Sequence, residues 1–92
     1  MYIEFSLYAL RHPWAQQQLA ERYRVARQEL SNRLREKYQA EGGFPAFPIE
    51  YLAWALLALG SGLALQAYLE PRALPPDLYA TIVTQLLDAP RP

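Results

Sequence analysis

The stretch YLAWALLALGSGLALQAYL, residues 51–69, holds no charged side chain. A helix needs roughly 20 apolar residues to cross a bilayer, so the first question is whether lipid or protein covers this one. Glu50 and Glu70 bracket the stretch and no lysine or arginine cluster adjoins either end, with Arg72 alone nearby. The charge asymmetry that orients membrane spans is therefore missing. Gly60, Ser61, Gly62 and Gln66 interrupt the run and weaken insertion. The reading is a helix over about 49–69 that protein covers on every side. The alternative is a small membrane-associated helical protein that uses 51–69 as a span, separable by partitioning into detergent.

Helical periodicity divides this helix into four strips. Leu52, Leu56, Leu59 and Leu63 form a leucine stripe, flanked by small Ala53, Gly60, Ala64 and Ala67. Trp54, Leu57, Ser61, Leu65 and Tyr68 form a bulky strip. Tyr51, Ala55, Ala58, Gly62, Gln66 and Leu69 close the circle. Small residues four apart let two helix backbones approach closely. Two strips offer such an approach, one through Ala58 and Gly62, the other through Gly60 and Ala64. The Gly62 strip is assigned to a contact between subunits, with Gln66 bonding across it, and the Gly60 strip remains the competitor.

A chain of 92 residues with 52% hydrophobic content has more apolar surface than a small monomer easily hides. A second copy is the simplest cover, because twofold dimers are the commonest closed assembly. Formal net charge is zero, with nine basic and nine acidic residues, so the broad basic footprint of a nucleic-acid-binding surface is absent. The chain has no cysteine, which excludes disulfides and thiolate metal sites. Neither a metal nor a cofactor is expected, and no leader pattern is read at the N-terminus, so cytoplasm is the expected location.

Prolines and glycines divide the chain into four helices, at about 2–11, 13–41, 49–69 and 76–88, with no sustained period of two. The expected fold is all-α, an antiparallel helical bundle whose last two helices form a four-helix-bundle homodimer interface. In the N-terminal helix Tyr2, Ile3, Phe5, Leu7, Tyr8 and Leu10 surround the axis, so it must be buried on several sides. The long helix opens at Pro13 and stops at Gly42 and Gly43. Its stripe of Leu19, Tyr23, Ala26, Leu30, Leu34 and Tyr38 has spacings of 4, 3, 4, 4 and 4. Its arginines are read as a solvated face, with Glu29 and Arg33 an ion pair. The last helix starts with Pro76 and Asp77 in its first turn, and Leu78, Tyr79, Ile82, Val83, Leu86 and Leu87 cover half its circumference.

The segment FSLYALRHPWAQQQLAERYRVARQEL resembles the later core helices of TetR-family transcriptional repressors, especially those with a BetI-type C-terminal domain. ALLALGSGLALQAYLEPRALPPDL is similar to the penultimate helix of that family and the link that follows it. Ser61 stands before Gly62 where the family often has Asp, and FPIE stands where the family usually has a D-P-E-like start. The resemblance implies part of an effector-sensing and dimerisation domain, residues 1–92, about its last four helices, without the helix-turn-helix unit that precedes it in the family. It implies that the last two helices pair between subunits while the preceding ones surround an effector. The implied partners are a second copy and a small apolar effector, with no direct nucleic-acid contact by this stretch and no membrane.

Candidate effector-pocket residues are Tyr8, His12, Trp14, Tyr23, Trp54 and Tyr68, apolar bodies with polar tips of the kind that line ligand sites; ordinary core packing is the competing role for each. Candidate dimer-interface residues are Ala55, Ala58, Gly62, Leu65, Gln66, Leu69, Tyr79, Ile82, Val83 and Leu86. His12, between Arg11 and Pro13, is read as a turn or helix-cap residue. It has no serine or carboxylate placed to work with it, and no catalytic residue is assigned.

Overall fold

The structure is a computed structural model that describes residues 7–89. Those residues are all-α, an antiparallel bundle with no strand among them. Residues 7–9 are the end of a helix, and a turn at 10–11 follows; Tyr2, Ile3 and Phe5 lie outside the described residues. Three further helices are α1 (Pro13–Glu41), α2 (Ile49–Leu69) and α3 (Leu78–Asp88).

Local chemistry sets the helix ends. His12 is extended and its carbonyl accepts the Gln16 amide at 2.9 Å, while Pro13 occupies the first helical position, where its missing N–H costs nothing. Gly42 ends α1 with φ of 69°, a left-handed geometry that glycine adopts without a Cβ clash. Pro48 precedes α2 and its carbonyl accepts the Leu52 amide at 3.1 Å. The last helix opens two residues later than Pro76 suggests. Pro76 and Asp77 lie in a turn, and the carbonyls of Pro75 and Asp77 accept the Leu78 and Thr81 amides. A proline supplies the φ of a first turn but equally that of a tight turn.

Cross-links fix the helix directions. Arg35 donates to Glu50 at 2.6 Å near the 42–48 loop, and Tyr23 shares a hydrogen bond with Ser61 at 2.8 Å. Twelve residues back along α1 and eleven forward along α2 are each about 17 Å of helix, so the two run antiparallel. α3 returns beside α2: the Tyr79 ring lies against Gly60, and Tyr38 on α1 donates to the Leu87 carbonyl at 2.8 Å.

The core sits at the end nearest the 42–48 loop. Leu34, Tyr38, Leu52 and Leu56 are buried there, and Leu30, Ile49, Val83, Leu86 and Leu87 pack against them. Burial raises the Tyr38 phenol above its ordinary value, because desolvation disfavours the phenolate. Lys37 joins the same end to α3, pairing with Glu41 at 2.7 Å and approaching Asp88 at 3.7 Å. Its ammonium is held above the ordinary range first by the Glu41 hydrogen bond. The expected Glu29–Arg33 pair is not formed. The ion pairs within α1 are Glu21–Arg24 and Lys37–Glu41, a choice that exposed side chains make at small energetic cost.

Candidate functional site

Beyond Leu56, α2 has no buried residue. One side of this half faces α1 across two hollows that share Tyr23, Leu57 and Ser61. The first, about 420 Å³, is also bordered by Arg22, Ala26, Gly60, Ala64 and Tyr79. The second, about 410 Å³, is completed by Ala20, Arg27, Trp54 and Ala58. Both volumes lie within the roughly 300–1,000 Å³ of small-molecule sites.

The second hollow has the richer chemistry. The Arg27 guanidinium lies over the Trp54 ring, 3.8 Å from its centroid, a cation–π contact. Tyr23 and Ser61 tie α1 to α2 at its edge. Of the six pocket residues expected from the sequence, the structure brings together only Tyr23 and Trp54 here. Tyr8, His12 and Trp14 gather separately at the start of α1. The Tyr8 and His12 rings stack at 3.8 Å, Trp14 meets Tyr8 edge-on at 6.0 Å, and His12 Nδ1 donates to the Tyr8 carbonyl at 3.0 Å. That bond spends the His12 side chain on closing the turn. Tyr68 is exposed about two turns past Ser61 and borders neither hollow.

Two residues that the sequence reading missed complete the site. Ser61 registers in the sequence only as the one hydroxyl of a bulky strip. Arg27 falls among arginines expected to be solvated, yet Arg22 and Arg27 border the hollows and Arg35 pairs with Glu50. The signal for Arg27 was its position four after Tyr23, which places both on one helix face.

The adjoining side of α2 is uncovered. Ala55, Ala58, Gly62, Leu65, Gln66 and Leu69 are all exposed, as are Tyr51 and Trp54. Tyr51 and Leu69 each keep 68% of their surface in solvent and Trp54 keeps 60%. A Cβ built on Gly62 meets nothing within 4 Å, whereas one on Gly60 meets the Tyr79 ring at 3.6 Å. The Gly60 strip therefore faces α3 of the same chain. On α3, Ile82 is exposed. Tyr79 is exposed in part, but its ring covers Gly60 and its hydroxyl donates to the Leu56 carbonyl at 3.5 Å. Val83 and Leu86, also expected at the interface, are half-buried and pack against the intrachain core. The half-circle stripe of α3 is wide enough to serve two neighbours, and its inner half is taken by its own chain.

The geometry is that of a small helical domain with a polar-edged hollow and, adjoining it on the same helix, an uncharged exposed face. Over residues 1–91 the sequence matches the family described as BetI-type transcriptional repressor, C-terminal. The chain belongs to that family. No curated protein and no solved structure matches it. Membership in the BetI-type repressor C-terminal family makes this the C-terminal region of a TetR-like regulator, the relationship that the LALQAYLEPRALPPDL segment indicated. The BetI-type family is one of transcriptional regulators. Among the described residues no three His, Cys, Asp or Glu side chains are grouped to hold a metal ion.

Proposed function

We propose that this chain is an effector-sensing and dimerising module of a BetI-type repressor. It acts in the cytoplasm and transmits ligand occupancy to a DNA-reading unit through its subunit contact rather than by touching DNA itself. The observation that carries the reading is the uncharged outer face of α2. It runs the length of the helix from Tyr51 to Leu69 and leaves Gly62 open to close approach. A second copy laying the same face against it covers both at once, with Ile82 at its margin. The hollow between α1 and α2 adjoins that face, because Ala58 belongs to both. A ligand there touches the wall of the proposed contact, so its affinity differs between subunit arrangements that move Ala58, and that difference is what couples occupancy to arrangement.

α2 is also long and apolar enough to cross a bilayer, and only 17% of its most apolar window is buried within the chain. Sedimentation of the detergent-free chain separates the two covers. The dimer reading expects about twice the chain mass of 10.6 kDa at micromolar concentration. A cooperative monomer, or a chain recovered only in detergent micelles, contradicts it.

A further inference from the structure

The two hollows beside the Tyr23–Ser61 bond have one electrostatic character. Each is bordered by one arginine, Arg22 or Arg27, and neither by any aspartate or glutamate. Among the described residues Arg27 makes no ion pair. Its face is spent on the Trp54 ring, but a stacked guanidinium keeps its N–H donors, which point outward along its edge. The rest of the second hollow is Ala20, Leu57 and Ala58, with the paired hydroxyls of Tyr23 and Ser61.

Resting on the effector-sensing reading, we propose that this hollow takes a small organic monocarboxylate with a flat aromatic body. The carboxylate accepts two N–H bonds from the Arg27 edge, the bidentate pairing that guanidinium geometry favours. The aromatic body lies along Leu57 and Ala58 against the edge of the Trp54 ring, and the Tyr23–Ser61 hydroxyls reach any polar substituent. A cation of the same shape is disfavoured twice. It meets the Arg27 charge at short range, and the Trp54 face that would attract it is already occupied by a guanidinium.

The test uses the whole chain and three probes of one shape: naphthalene carboxylate, its neutral amide, and the corresponding aminomethyl cation, each titrated by calorimetry. The carboxylate is expected to bind best. Arg27→Gln is expected to weaken it by about 10–100-fold, the loss typical of a charge-assisted bond, while leaving the amide unchanged. Arg27→Lys keeps the charge without the fork and is expected to fall between. Helicity matching the parent confirms that both variants fold. If the amide or the cation binds as tightly as the carboxylate, and Trp54→Leu removes that binding, the anionic class is wrong while the effector site stands. If the carboxylate binds but Arg27→Gln leaves its affinity unchanged, the assigned contact is wrong. If none of the three binds, both the ligand class and the effector role of this hollow fall.

Discussion

The two halves of α2 are built from the same kinds of residue and have opposite fates. Leu52, Ala53 and Leu56, in the first half, are buried. The second half repeats leucine and alanine at the same helical spacings, yet none of residues 57–69 is buried. Composition cannot distinguish the halves; their neighbours do. α3 has 11 residues against 21 in α2, about 16 Å of helix against about 31 Å. The 70–77 link returns the chain so that Tyr79, in the first turn of α3, lies against Gly60, while Val83, Leu86 and Leu87 pack on the core at the end nearest the 42–48 loop. From Leu57 onward no residue of α2 is buried, and the hollows open between α1 and α2 on either side of the Tyr23–Ser61 bond. One half makes the fold, and the other remains available for a ligand and a partner.

Truncating one leucine in each half tests this division most severely. Leu52 is 2% exposed in the core cluster. Leu52→Ala is expected to cost about 2–5 kcal/mol, read as a lower denaturant midpoint or loss of the cooperative melt. Leu65 is 38% exposed on the open face. Leu65→Ala is expected to leave the helicity of the isolated chain unchanged and to act on self-association alone. Equal destabilisation of the fold by both would show that the halves are not separate.

The glycines sharpen the comparison. Gly62→Leu places a branched side chain on the uncovered face, where nothing within 4 Å opposes it inside the chain. Folding of one chain is expected to be unharmed, since replacing a helical glycine recovers about 0.5–1 kcal/mol of backbone entropy. Overpacking across the proposed contact costs about 1–3 kcal/mol at each side chain and is met twice, so sedimentation should show monomers that keep their helicity. Gly60→Leu pushes instead into the Tyr79 ring and is expected to lower the stability of each chain. A dimeric Gly62→Leu together with a folded, monomeric Gly60→Leu would exchange the two faces.

At the packed end, Tyr38→Phe removes the hydroxyl that donates to the Leu87 carbonyl. The expected loss is about 0.5–1.5 kcal/mol. The pH dependence has a definite sign. Because the folded phenol titrates above its ordinary value of 10.0, this contribution is full below pH 10.0 and disappears as pH rises through the folded value. The difference in stability between Tyr38→Phe and the parent should therefore shrink in alkaline solution. A difference independent of pH would remove Tyr38 as its source.

Much of this division was legible in sequence, and the rest was hidden for a physical reason. Gly42 and Pro48 mark helix ends because their backbone restrictions are local, and the Leu30, Leu34 and Tyr38 stripe reports a buried side because burial follows helical periodicity. The resemblance carried by residues 5–30 and 55–78 pointed to the family. The site was harder to see. Arg27 resembles any solvated arginine until Trp54, from another helix, is placed beneath it. Val83 and Leu86 share one stripe with Ile82, and only the position of α3 against α2 determines which of them turns inward. The small-residue strips of α2 were equally visible, but the side taken by Tyr79 depends on where the 70–77 link returns the chain. Pro76 fitted a helix start and a turn equally well, and the turn was formed.

The smallest effect is expected where the packed end meets water. Glu50 lies in the first turn of α2, and its carboxylate is held below the ordinary 4.5 first by a hydrogen bond from its own backbone amide and then by Arg35. The carboxylate also complements the positive end of the helix dipole. Its contribution is full above pH 4.5 and is lost as pH falls through the lowered folded value. Glu50→Gln keeps the shape and removes the charge, so near neutral pH it should melt slightly below the parent. This gap should be smaller than that of Tyr38→Phe, since exposed ion pairs contribute little. Acid protonates the parent carboxylate and makes it resemble the glutamine, so the gap should close there. Salt should narrow it at neutral pH by screening the exposed charges. Persistence of the gap after the carboxylate has protonated would assign it to the hydrogen-bonding shape of the side chain rather than its charge. The Arg35–Glu50 contact would then act at the α1–α2 junction as a hydrogen bond and not as an ion pair.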